Sequence, residues 1–106
     1  MFVNVEGLIQ TLIEEGYKEE GAGQLAGALA KLEGPFSRAL TQLILDGDID
    51  PKLIPTLSSN GVTFEQLTEE KNMNPWAALA TLDWLERDPD EALASLQRGS
   101  DFVIGS

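Results

Sequence analysis

The chain contains neither cysteine nor histidine. Their absence removes Cys and His nucleophiles, His general bases and zinc sites built from those two side chains. Zero cysteines also fit a reducing compartment. Basic residues are scarce, with seven Lys and Arg against 18 Asp and Glu and a formal net charge of −11 at pH 7. That balance disfavours direct contact with nucleic-acid phosphates and with anionic membranes. Long apolar runs are missing too: none approaches the ~18 residues that span a bilayer. The N-terminal Met-Phe-Val-Asn-Val-Glu has no basic stretch of the kind that opens a secretory signal. The expectation is a cytoplasmic protein that needs no cofactor or metal and binds neither membrane nor nucleic acid directly. Carboxylates, hydroxyls and a few amines are left for chemistry, which favours a binding protein over an enzyme.

What is present describes an ordinary globular chain. Of its 106 residues 42% are hydrophobic and 24% charged, with a mean hydropathy of −0.10. This length predicts a single acidic helical domain spanning residues 1–106. The acidity is distributed, with nine acidic and three basic residues up to position 50 and nine and four beyond it. A partner recognised by charge must therefore carry a basic or a mixed basic and apolar surface.

Helix-start signals dominate. Pro35, Pro51, Pro75 and Pro89 sit where helices take their first residue, and three of them follow Asp50, Asn74 and Asp88. Proline is tolerated there because its missing N–H has no intrahelical partner, while the preceding Asp or Asn accepts from free amides. Thr63 with Gln66 and Asp88 with Glu91 read as capping boxes. No comparable strand signal is found. The fold class read from this is all-α, a compact single-domain bundle of six or seven short, mostly non-parallel helices.

The first helix should run from about Val5 to Glu15, capped by Asn4, with Val5, Leu8, Ile9, Leu12 and Ile13 in one stripe and Gly16 as its stop. A second, Glu19 to Glu33, carries Gly23, Gly27 and Ala30 as a smooth ridge suited to close packing against a neighbouring helix. A third starts at Pro35 and aligns Phe36, Ala39, Leu40, Leu43 and Ile44. Short helices follow at Pro51–Leu57, shortened by Pro55, and from Thr63 to near Asn72, separated by a turn at Ser58-Ser59-Asn60-Gly61. The helix Pro75–Arg87 is apolar on two faces. It is therefore either central or presents Trp76 and Trp84 as an aromatic patch. Pro89–Arg98 is the last helix, stopped by Gly99, and the apolar tail Phe102-Val-Ile104 is expected to dock on the core.

Leu12 to Ile44 contains Glu15-Gly16-Tyr17 between helices, then Leu25-Ala-Gly-Ala-Leu29 and Ser37-Arg-Ala-Leu-Thr-Gln-Leu-Ile44. This third of the chain resembles a ubiquitin-associated three-helix module, with Glu15 where that family carries methionine. The resemblance implies three helices packed on one another.

Two constellations bear on chemistry. Asp46, Asp48 and Asp50 match the first half of a calcium loop, but Pro51 and Leu57 stand where such a loop needs glycine and a bidentate glutamate. The alternative is that Asp46 and Gly47 close one helix, Asp50 caps the next and Asp48 is solvated. Paired carboxylates are plentiful, yet general acid–base work needs one of them desolvated. A carboxylate enzyme thus predicts a buried acid with a strongly raised pKa. The leading expectation is non-catalytic protein–protein binding, as an inhibitor, adaptor or chaperone, through Trp76 and Trp84 rimmed by Glu86, Asp88, Asp90 and Glu91. The alternative is an acidic mimic of nucleic acid that blocks a DNA- or RNA-binding protein. A homodimer through residues 75–87 is equally compatible with the pattern.

Overall fold

Each helix begins and ends where its local chemistry dictates. The computed structural model describes residues 4–97. The expected docking of the tail and the helix stop at Gly99 lie outside the described residues. Helix α1, Val5–Glu14, opens on Asn4, whose side chain accepts from the amides of Glu6 and Gly7, and is followed by Gly16 at φ 108°. Helix α2 spans Glu19–Leu29. It stops short of Glu33 because Lys31 and Leu32 donate to the carbonyls of Ala28 and Leu29, three residues back, which tightens the chain out of the α register. Helix α3, Gly34–Asp46, carries a proline in its first turn and ends on Gly47 in the left-handed conformation. Among the described residues the fold is all-α apart from one minimal hairpin.

Between α3 and the next long helix, Pro55 breaks the expected helix into a 3₁₀ turn, Ile54–Thr56. The surrounding bonds, Leu53 to Asp50, Thr56 to Leu53 and Leu57 to Ile54, all span three residues, as a proline without N–H requires. The expected turn at residues 58–61 is a β-hairpin. Strands β1, Ser58–Ser59, and β2, Val62–Thr63, pair antiparallel around Asn60-Gly61. Both turn residues have positive φ, 52° and 83°, as a tight hairpin of matching twist demands. Thr63 and Gln66 form the reciprocal capping box, with amide-to-side-chain distances of 3.0 and 3.1 Å. They lead into a π-helical turn, Gln66–Glu70, in which Lys71 donates to Gln66 five residues back. Asn72, at φ 57°, ends the turn.

Helix α4, Pro75–Arg87, is the centre of the fold, and α5, Pro89–Gln97, follows after Asp88. Nine of the thirteen α4 residues are buried, and the helix packs against α2, α3, α5, β1 and the π turn. Its two apolar faces are thus explained by position: each meets a different neighbour. Buried side chains from every helix join it in one continuous core, including Leu12, Leu25, Leu40, Leu67, Leu82 and Leu96. The Cα radius of gyration is 12.6 Å, close to the ~13 Å of a compact chain of about 100 residues. Among the described residues no helix is long and apolar enough to cross a membrane.

Three packing expectations are corrected. In the α1 stripe Leu8 and Leu12 are buried but Val5 and Ile13 are exposed, because α1 is peripheral and packs chiefly on α2. The glycine ridge of α2 faces open space: beyond the adjoining residues and the helix's own backbone, no heavy atom lies within 4 Å of where a Cβ would stand on Gly23 or Gly27. That helix packs instead through Ala22, Leu25, Ala26 and Leu29. Finally, α3 leans on α4 rather than closing a three-helix unit with α1 and α2.

Candidate functional site

The two ends of α4 are held by two other parts of the chain. Asn74 Oδ1 accepts from the Ala77 amide at 3.0 Å and also from the Tyr17 hydroxyl. This ties the α1–α2 loop to the central helix. At the other end, Asn60 Nδ2 donates to the Leu85 carbonyl at 2.6 Å, so the hairpin tip satisfies one of the last carbonyls of α4. Trp76, the second residue of the helix, is 5% exposed. It belongs to the core and is withdrawn from any surface patch, because α4 is surrounded rather than laid on the outside. Trp84 is half-buried and packs against the core. Glu86, Asp88, Asp90 and Glu91 are exposed around the α4–α5 junction.

Asp83, which no motif in the sequence marks, is a buried acid. It is 7% exposed, among the buried residues of α4. Burial pushes its carboxyl above the ordinary carboxylate range, and Arg87 four residues on pulls it back. Arg87 Nη2 approaches Asp83 Oδ2 to 2.5 Å. That oxygen nevertheless accepts no well-directed hydrogen bond, so the contact is an ion pair by proximity. The i,i+4 spacing of Asp83 and Arg87 was the available signal. Asp83 lines neither of the grooves described next.

Those grooves lie on the two sides of the π turn. One, of about 310 Å³, separates the turn from α5 and has an apolar floor of Val62, Leu67, Leu93 and Leu96. Lys71 stands on its rim with Nζ donating to the Leu96 carbonyl at 3.3 Å. The other, of about 460 Å³, is walled by Ile54, Pro55 and Thr63 and carries Glu65, Glu69 and Glu70. The chain matches no known protein family, no curated protein and no solved structure. Function must therefore be argued from these surfaces.

The acidic loop after α3 uses its side chains locally. Asp48 Oδ1 accepts from the Ile49 amide and Asp50 Oδ1 from the Lys52 amide, both at 2.9 Å, while Gly47 closes α3. Among the described residues no three carboxylates gather in a group that could hold a metal ion. Among the described residues four large apolar side chains are exposed: Val5 and Ile13 on α1, and Ile44 and Leu45 at the end of α3, Leu45 at 72%.

Proposed function

We propose that this protein acts by binding another protein, as an inhibitor, adaptor or chaperone, and not by catalysis. Its partner presents a basic or mixed basic and apolar surface. One observation carries the reading: an apolar groove beside α5 adjoins a second groove bearing three carboxylates, both edged by the same π turn. Apolar anchors supply affinity at protein interfaces, and complementary charge supplies rate and specificity. The raised carboxyl of Asp83 adds no support for catalysis, since it is paired with Arg87 and lines neither groove.

The test is capture of partners from a nuclease-treated host lysate, washed at low and at high salt. Wild type is compared with Leu93→Ser in the groove and Trp84→Ala beside the acidic α4–α5 junction. A partner retained at high salt and lost with one of these variants, while the helical CD spectrum persists, supports an apolar-anchored protein interface. A nucleic-acid-binding partner that is released by salt and by competing DNA indicates the acidic-mimic alternative. Capture of no specific protein by wild type counts against the proposal.

A further inference from the structure

We infer that the π turn Gln66–Glu70 is the ridge of a docking site for a linear segment of the partner, in which apolar residues are followed by Lys or Arg. This rests on the protein-binding reading and gives its place and chemistry. Side chains four residues apart are neighbours on a helical surface, and three such pairs divide the turn lengthwise. Leu67 and Lys71 line the apolar groove, Glu65 and Glu69 line the acidic one, and Gln66 and Glu70 line both. A segment crossing the ridge therefore passes from apolar to anionic surroundings within the width of a single turn.

Size and charge select the occupant. About 310 Å³ is at the lower end of the ~300–1,000 Å³ typical of ligand sites, which suits one or two inserted side chains. Val62, Leu67, Leu93 and Leu96 offer them an apolar floor. Beyond the ridge no basic side chain among the described residues lines the second groove, and the charged groups that do line it are carboxylates, which attract cations on the segment. A nucleic-acid backbone would be repelled by the same glutamates. A second copy of the chain, itself at −11, would bring mainly carboxylates against them. An amphipathic helix laid along a groove is a recurrent way for such a segment to bind.

The probe is a fluorescein-labelled synthetic peptide with leucines at i and i+4 on one face and arginines beside them, titrated by anisotropy at low and high salt with the full chain. Saturable binding is expected. Glu65→Lys with Glu69→Lys should weaken it about tenfold at low salt and much less at high salt. Leu93→Ser should weaken it at both salts with the CD spectrum unchanged. Glu14→Lys with Glu15→Lys makes the same net-charge change at the end of α1, which lines neither groove, and should leave affinity within about twofold. Equal losses from the two charge-reversed pairs would overturn the inference, because net charge alone would then explain binding. So would indifference to Leu93→Ser, or self-association abolished by the groove variants. Absence of peptide binding defeats this docking mode; the wider reading falls only if the lysate capture also yields no partner.

Discussion

Removing the guanidinium of Arg87 should isolate a carboxylate that the fold has already taken out of water. Asp83 is 7% exposed and lies 2.5 Å from Arg87 Nη2. Arg87→Met keeps most of the aliphatic stem and deletes the counter-charge. Breaking a fully buried ion pair by losing one partner costs about 3–5 kcal/mol. Because the Arg87 side chain is 49% exposed, water screens the pair, and the expected cost at neutral pH falls to about 1–2 kcal/mol. For a chain of this size that corresponds to a melting temperature lower by about 5–10 °C. The pH dependence gives the sharper test. A carboxyl whose folded pKa is raised holds its proton more tightly in the folded state, so its penalty is absent below the unfolded value of 3.8. The penalty grows as pH rises through the window between the unfolded and folded values and is complete above it. Loss of Arg87 raises the folded value further and extends that window upward. Thermal melts followed by CD between neutral pH and pH 4 should therefore show the Arg87→Met penalty shrinking toward acid. Asp83→Asn with Arg87→Met should recover most of the loss at neutral pH. A penalty independent of pH, or one that persists in the Asp83→Asn background, would refute the assignment to a buried carboxylate.

Other substitutions test the architecture. Gly23→Ala and Gly27→Ala, in a helix with open space at both positions, should each stabilise by about 0.5–1 kcal/mol, seen as a higher urea midpoint with unchanged slope. Trp76→Ala should cost about 3–5 kcal/mol and Trp84→Ala clearly less, by the same denaturation series; equal losses would contradict their different burial. Asn74→Ala removes both the α4 cap and the acceptor of the Tyr17 hydroxyl. It should cost about 2 kcal/mol against about 1 for Tyr17→Phe, compared by thermal melts.

The helical segments were legible in the chain because their signals are local. Asn4, Gly16, Pro35, Gly47 and the Thr63–Gln66 box act on amides and carbonyls within a few residues, so sequence position alone places them. The hairpin was legible but passed over: Asn60-Gly61 is a strong two-residue turn signal, and only the shortness of the flanking strands concealed it. Even the ridge had a trace, in the i,i+4 pairing of Glu65 with Glu69, Gln66 with Glu70 and Leu67 with Lys71.

Composition and local pattern by themselves determined an acidic, helical chain without Cys or His chemistry, and set most helix termini, though not the end of α2. Which apolar face meets which was not theirs to decide. Burial depends on neighbours far along the chain, so Trp76 is core because α2, α3 and α5 close around α4, while Val5 and Ile13 are exposed because α1 packs chiefly on α2. Gly23 and Gly27 read as a packing ridge until the tertiary structure left their side of α2 open. Asp83 and Arg87 are a surface pair by spacing, and only the packing of α4 within the bundle desolvates the carboxyl. The grooves likewise exist only once α5 and the 3₁₀ turn come to lie on opposite sides of the π turn.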